Sequence, residues 1–333
     1  MQFEMAVGLS TAVGSLPHVD PRAAAELSLR CNPGLPAIPS LPMRSPWETM
    51  LGQAVVGLRG VTVGDRGGVE LVDGGPARDA VPETDLDHEA FGGLRAFLDV
   101  ARGHNGLVKW QVTGPVTLGL GLLHAGLPTD AAFALSETSV HARVGALGAA
   151  IAEALPDARQ VVFIDEPGLT GLAHPGFPLE PERAIALVGS CISAAESFAR
   201  TGVHCCGSTD WSLVQQTGAS ILSLPADHSA VRFAGTLADF MARGGRIAWG
   251  AVPTDGPRAG TADRHWRALA AVWCELVRAG CDPVRLRTQT IITPECGLAP
   301  HTTEQAEQVL ALTQEIADRV LDQAVATRFS LGA

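Results

Sequence analysis

From about residue 100 onward, the chain alternates between short apolar runs and longer amphipathic, alanine-rich stretches. The runs are apolar nearly throughout, as in strands covered on both faces, whereas the stretches between them repeat apolar residues at helical spacing. Strands that alternate with helices in this way indicate a parallel sheet. The predicted strands are residues 11–13, 107–112, 161–164, 202–205, 220–224, 246–251 and 285–292, and the predicted helices include 182–199, 262–279 and 303–325.

Polar residues gather at the carboxyl ends of six of these apolar runs. An open doubly wound sheet concentrates such residues at one switch point, whereas a (β/α)8 TIM barrel distributes them around its C-terminal mouth. Six such ends favour the barrel, and the first strand together with a less defined strand near residues 54–72 brings the count to eight. The residues at the six ends are Thr113, Asp165, His204, Asp227, Asp255 and Cys296.

Two N-terminal segments do not fit the alternation. Residues 31–46 are rich in Pro and Leu, and residues 57–73 have the Gly-Asp and Gly-Gly turns of a hairpin. We expect both to be insertions, within about residues 31–80, that decorate the barrel mouth. The α/β fold is then a single TIM (β/α)8 barrel over residues 1–333 with N-terminal hairpin and loop insertions.

Composition narrows the classes of function. With 333 residues, of which 46% are hydrophobic and 18% charged, the chain can bury a large core and is not disordered. It has no leader-like N-terminus and no apolar run of roughly 20 residues, so we expect a soluble, cytoplasmic protein without membrane contact. A formal charge of -11 without clustered Lys and Arg argues against a nucleic-acid partner. Small-molecule ligands or a protein partner are expected instead.

The sequence Val-His-Cys-Cys-Gly carries the most informative chemistry. His204 and Cys206 are two residues apart, so on an extended segment they point to the same side, whereas Cys205 faces away and is expected to pack. Cys296 follows 90 residues after Cys206. Three such ligands on separate strand ends suit a catalytic zinc with an open position better than a structural zinc. The alternative is a pair of core thiols beside a satisfied histidine.

Five segments occur in an order typical of one family. They are residues 14–17 (Gly-Ser-Leu-Pro), 114–117 (Gly-Pro-Val-Thr), 164–167 (Ile-Asp-Glu-Pro), 203–206 (Val-His-Cys-Cys) and 294–298 (Pro-Glu-Cys-Gly-Leu). With them the chain resembles the C-terminal catalytic barrel of cobalamin-independent methionine synthase, in its single-barrel, archaeal-type form. This family lies in the superfamily that also contains uroporphyrinogen decarboxylase.

The resemblance implies a methyltransferase that forms methionine from homocysteine. His204, Cys206 and Cys296 would bind zinc, which holds the homocysteine sulfur as a thiolate that attacks the methyl group of a donor. The family's Gly-Ser turn and its Asp-Glu-Pro segment hold the amino-acid end of the substrate. The expected substrate-binding residues are therefore Gly14, Ser15, Asp165 and Glu166.

The sequence departs from the family at several positions. Pro225 stands where the family has a glutamate ligand, which leaves Asp227, Glu295 or a water molecule as the fourth ligand. The family's acid–base histidine is missing, and Asp255 is the expected replacement. An acidic residue associated with the folate pterin is absent from residues 168–174, so a methylated corrinoid protein is a better methyl donor than methyltetrahydrofolate.

Alternatives stay open for the function and for single residues. The barrel is also compatible with alkyl transfer to another thiol, or with a non-catalytic thiol- or metal-binding role, which Pro225 favours. Asp165 and Glu166 are alternatively residues that cap or salt-bridge a loop. Ser15 is alternatively the N-cap of the first helix.

Overall fold

The computed structural model describes residues 3–77, 80, 82–255 and 260–331. Its strands are β1 (Leu9–Ser10), β2 (Val61–Val63), β3 (Val69–Leu71), β4 (Leu107–Thr113), β5 (Arg159–Asp165), β6 (Ala199–His204), β7 (Ile221–Pro225), β8 (Arg246–Val252) and β9 (Thr290–Pro294). Its α-helices are α1 (Pro21–Cys31), α2 (Met50–Val55), α3 (Gly92–Val100), α4 (Pro115–His124), α5 (Thr129–Ala154), α6 (Pro181–Ala195), α7 (Trp211–Val214), α8 (Ala234–Ala242), α9 (Ala262–Arg278), α10 (Pro283–Thr288) and α11 (Thr303–Leu331).

Seven of the strands form one curled parallel sheet in the order β1-β9-β8-β7-β6-β5-β4. The runs predicted as strands between residues 107 and 251 are confirmed as β4 to β8, with small differences at their ends. Strands and helices alternate along the chain, so the prediction of a parallel α/β fold is confirmed. Among the described helices, none is both long and apolar enough to cross a bilayer.

The two faces of β5 show how the sheet separates its surroundings. Val161, Phe163 and Asp165 lie on one face of the strand, because successive strand residues point to opposite sides. Val161 and Phe163 belong to a small apolar cluster with the N-terminal residues Phe3 and Met5. Residues on the opposite face join the large cluster that packs the helices against the sheet. Asp165 therefore ends a face whose lower part is apolar and buried.

The N-terminal region corrects two predictions. No strand of the main sheet lies at residues 54–72; helix α2 ends at Val55, and β2 and β3 form the predicted hairpin as a separate antiparallel sheet. Residues 31–46 were predicted to decorate the mouth, but residues 36–40 within that segment lie between the two edges of the main sheet. Residues 78, 79 and 81, also assigned to the insertion, lie outside the described residues.

Backbone hydrogen bonds define the position of residues 36–40. Lys109 N donates to Pro36 O at 2.9 Å, which ties the segment to β4. Ser40 N donates to Gly14 O at 3.2 Å, which ties it to the turn after β1. Pro36 and Pro39 lack the amide hydrogen that a regular ladder needs, so the segment makes isolated bridges and, within the described chain, no eighth strand.

The ends of the sheet also differ from the sequence prediction. The first strand is Leu9–Ser10, so it starts two residues and ends three residues earlier than predicted. The run at residues 285–292 begins as helix α10 and reaches β9 only at Thr290. The reason is local, because the Asp282 side chain accepts hydrogen bonds from Val284 N and Arg285 N, and Pro283 occupies the first helical turn.

Candidate functional site

Asp165 and His204 are direct neighbours at the carboxyl ends of two paired strands. They are register partners of β5 and β6, and both are more than nine-tenths buried. Oδ1 of Asp165 is buried and has no hydrogen-bond partner among the described residues. Burial raises the pKa of Asp165, while Lys109 and His204 oppose the shift. Asp165 therefore presents a buried, unsatisfied acceptor beside the imidazole.

The His204 ring is held from one side only. Its Nδ1 lies 2.8 Å from Oγ of Ser223, on the neighbouring strand β7. Its Nε2 is buried and has no partner among the described residues. Histidines that bind metals use one nitrogen for the metal and the other for an orienting hydrogen bond. The described residues thus leave Nε2 of His204 available to a ligand.

Cys206 and Cys296 come together from distant parts of the chain. The interaction between their thiols lowers the pKa of Cys296 and raises the pKa of Cys206, and the interaction with His204 lowers the pKa of Cys296 further. Cys205 points away from them; it is fully buried, with Sγ 3.6 Å from Oγ1 of Thr170. The structure therefore brings together the two cysteines that the sequence singled out and separates the third.

His204, Cys206 and Cys296 are neighbours, but they do not converge on one point. Among the side chains that the structure describes, no three of His, Cys, Asp or Glu are arranged to hold a metal ion. The chemistry of the donors nevertheless fits zinc, since two thiols and an imidazole nitrogen without a partner are ligands that zinc prefers. The residues present thus suit a zinc ion.

The acidic residues predicted around the metal lie at the rim. Asp227 is exposed, and its Oδ1 accepts from Ser229 N at 2.7 Å, so it caps a short 3₁₀ helix. Asp255 is exposed as well. Glu295 is half-buried; burial raises its pKa, and Asp255, Asp227 and Cys296 add to the shift. The three carboxyl groups therefore share one acidic rim near Cys296.

Ser15 lies in a turn against the loop that carries Cys296. Gly14 has a φ of +144°, in the region that favours glycine. Ser15 O accepts from Leu298 N at 2.8 Å, and a Cβ on Gly297 would overlap the Ser15 hydroxyl. Helix α1 begins later and is capped by Asp20, so the alternative role of Ser15 as a helix cap is wrong.

Glu166 is fully buried at the start of helix α4. Its carboxylate accepts from Val116 N at 2.8 Å, from Thr117 N at 2.8 Å and from Thr117 Oγ1 at 2.6 Å. Burial raises the pKa of Glu166 to about 7, and these hydrogen bonds oppose the shift. Both of its oxygens are occupied by the chain itself, which agrees with the capping alternative more than with substrate binding.

Lys109 is a site residue that the sequence analysis missed. It is 2% exposed and faces a small cavity of about 10 Å³, which has room for one water molecule. The signal was a lysine between the apolar residues Val108 and Trp110 of a buried strand. Four other residues that line this cavity each have a buried polar atom without a partner in the described chain, and they are Thr11, Asp165, His204 and Thr293.

A curled parallel sheet with polar residues at the carboxyl ends of its strands is typical of α/β enzymes of the barrel type, and this chain has that arrangement. Residues 100–319 match the family described as the catalytic domain of cobalamin-independent synthase. The chain therefore belongs to the cobalamin-independent synthase catalytic-domain family, as its motifs predicted.

One solved structure adds evidence on the fold. A methyltransferase from Methanosarcina mazei is similar at 17% identity and a TM-score of 0.57, over 93% of each chain. At this identity the likeness concerns the fold. Among curated proteins, none matches the chain. Family membership supports a methyltransferase, whereas the substrate and the metal are subjects of the proposal that follows.

Proposed function

We propose that this protein is a zinc-dependent thiol methyltransferase. The observation that carries the proposal is the buried Nε2 of His204, which has no hydrogen-bond partner among the described residues, beside the thiols of Cys206 and Cys296. These three residues are the proposed ligands, and Asp227 is the proposed fourth. A zinc ion bound there would hold a substrate thiol as its thiolate near neutral pH.

The chain's own residues would orient the metal ligand and the substrate. When Nδ1–H of His204 donates to Ser223, the lone pair of Nε2 faces the proposed site. Oδ1 of Asp165 is a buried acceptor that an ammonium group would satisfy. Gly14 and Ser15 would bind the carboxylate end of the same substrate. A site that binds an ammonium group at Asp165 and a carboxylate at the turn favours an amino-acid thiol. Homocysteine is the proposed acceptor, and methionine is the product.

The remaining assignments are parts of the same proposal. Asp255 at the rim would exchange protons with the reacting groups. A methylated corrinoid protein is the proposed donor, because the chain lacks the acidic residue that the family associates with folate. We propose that residues 36–40 complete a single (β/α)8 barrel, that Glu166 supports the substrate site from the start of α4, and that the protein acts in the cytoplasm.

Elemental analysis of protein purified without added metal tests the zinc site. We expect about one zinc per chain in the wild type, and its loss in Cys206→Ser and Cys296→Ser. Cys274→Ser is the control, since Cys274 is an exposed cysteine away from the site. Zinc that persists in Cys296→Ser, or a wild type that takes up no zinc after reconstitution, would contradict the proposal.

Turnover distinguishes the proposal from its nearest alternative. The replacement of a family ligand by Pro225 and the exposure of Asp227 favour a barrel that binds a thiol without transferring a methyl group. Methionine formation from homocysteine with a methylated corrinoid donor would exclude that alternative. Tight thiol binding without methyl transfer to homocysteine or to other thiols would establish it.

A further inference from the structure

Lys109 is a buried lysine whose side chain contacts residues of the segment after β1, of β4 and of β5. Its Nζ donates to Val13 O and, at 2.8 Å, to Oε1 of Gln111, and it lies 5.1 Å from the centroid of the Phe163 ring. Burial lowers the pKa of Lys109 to about 8, and the charge of Asp165 opposes that shift. A charged group buried this deeply is costly unless its hydrogen bonds are made, so these contacts are strongly constrained.

Gln111 links Lys109 to a second segment, residues 36–40. It lies two residues after Lys109 on β4 and thus on the same face. While Oε1 accepts from Lys109, Nε2 donates to Ile38 O at 3.0 Å. The amide also fills the space beside Gly14, where a Cβ would overlap it. Gln111 therefore contacts both segments that meet at this edge of the sheet.

The side chains of Lys109 and Gln111 both contact the turn that carries Ser15. Lys109 binds the carbonyl of Val13, immediately before the turn, and Gln111 packs against Gly14 within it. Beyond the turn, Ser15 O accepts from Leu298 N, two residues after Cys296. A continuous series of contacts thus joins β4 to the loop of a proposed zinc ligand.

We propose that Lys109 and Gln111 are positioning residues that hold the Gly14–Ser15 turn in place for substrate binding. The proposal rests on the proposed function for the identity of the substrate, homocysteine, but the contacts themselves are independent of it. Neither residue needs to touch the substrate. Their removal should loosen the turn and weaken homocysteine binding while the zinc ligands remain intact.

Hydrogen exchange of the backbone amides tests the support of the turn without any assay of activity. Leu16 N donates to Ser40 O, and Ser40 N donates to Gly14 O, so both amides report on the turn. In Gln111→Leu and Lys109→Met we expect exchange at these amides to increase about tenfold, the effect of one lost hydrogen bond. Unchanged exchange at both amides would overturn the proposal.

Gln160 supplies a matched control on the adjacent strand. It is a buried glutamine whose side chain accepts from Trp110 Nε1 at 3.0 Å and donates to Gly148 O at 2.9 Å, far from the turn. Gln160→Leu should lower overall stability as Gln111→Leu does, but leave the Leu16 and Ser40 amides unchanged relative to the rest of the sheet. Equal effects of the two variants on these amides would mean that Gln111 contributes to stability only as any buried residue does. That result would overturn the proposal.

Calorimetric titration with homocysteine completes the test on zinc-loaded protein. In Gln111→Leu we expect the dissociation constant to rise about tenfold with zinc content unchanged, and the KM for homocysteine to rise more than kcat falls. Wild-type affinity in a variant with a loosened turn would overturn the positioning role. If the wild type binds no homocysteine, the proposed function fails, and the exchange data still decide whether the two residues hold the turn. Should Lys109→Met fail to fold, Gln111→Leu alone decides.

Discussion

The hydroxyl of Ser15 occupies the space that a Cβ on Gly297 would need, while Ser15 O accepts a hydrogen bond from Leu298 N at 2.8 Å. The turn after β1 and the loop after β9 therefore fit together without room for a methyl group. Because Cys296 precedes Gly297, this contact joins a proposed substrate-binding residue to a proposed zinc ligand.

Gly297→Ala should disturb this contact. The new methyl group would displace Ser15 or the Cys296 loop, with a stability loss of about 1–3 kcal/mol and a drop of about tenfold in homocysteine affinity. Calorimetric titration and urea unfolding measure the two effects. Gly235→Ala is the control, since a Cβ there would meet open space within helix α8. Wild-type affinity in Gly297→Ala would show that the turn tolerates displacement.

Ser223→Ala should weaken zinc binding without removing a ligand. It deletes the only hydrogen bond that the described structure gives to Nδ1 of His204, so we expect zinc affinity to fall about 10–100-fold. Competition with a chelator measures the affinity. Ser220→Ala is the control, because Ser220 bonds to Thr201 O just before the same strand. An equal change in both variants would argue against an orienting role.

Asp227→Asn tests the fourth ligand. Asparagine caps a helix as well as aspartate, so stability should stay within about 0.5 kcal/mol of the wild type. If Asp227 binds the metal, as proposed, zinc affinity should fall at least about tenfold. Glu295→Gln is the parallel variant, because Glu295 belongs to the same acidic rim. A loss of affinity in Glu295→Gln alone would transfer the role to that residue.

Glu166→Gln should change how stability depends on pH. Burial raises the pKa of Glu166 to about 7, so the folded protein binds this proton more tightly than the unfolded chain does. The contribution of Glu166 to stability is then greatest below its unfolded pKa of about 4.5, and it falls by about 3 kcal/mol as the pH rises to 7. The glutamine variant lacks this titration.

Urea unfolding of both proteins between pH 5 and pH 8 measures the difference. The stability of the wild type relative to Glu166→Gln should decline across this interval. The exposed Glu182 supplies the control variant Glu182→Gln, which should follow the wild type. A difference that is constant with pH would mean that the three hydrogen bonds keep Glu166 ionised throughout.

Much of the sheet was predictable because its strands are buried on both faces. Strand β5, for example, is apolar from Val161 to Ile164, and Asp165 marks its carboxyl end. The prediction was wrong where local signals oppose the run. Asp282 and Pro283 start a helix inside the apolar stretch that leads to β9. Residues 36–40 join the two edges of the sheet, but the prolines at 36 and 39 gave this segment no strand pattern in the sequence.

The sequence by itself determined which residues gather at the carboxyl face, because parallel strands have all their carboxyl ends on the same side of the sheet. His204, Cys206 and Cys296 were predicted together for this reason. Only the tertiary structure decided the partner of each polar atom. It assigned Glu166 to the start of α4 and Lys109 to the carbonyl of Val13, since a hydrogen bond between residues 50 or 96 positions apart depends on packing and leaves no local pattern in the chain.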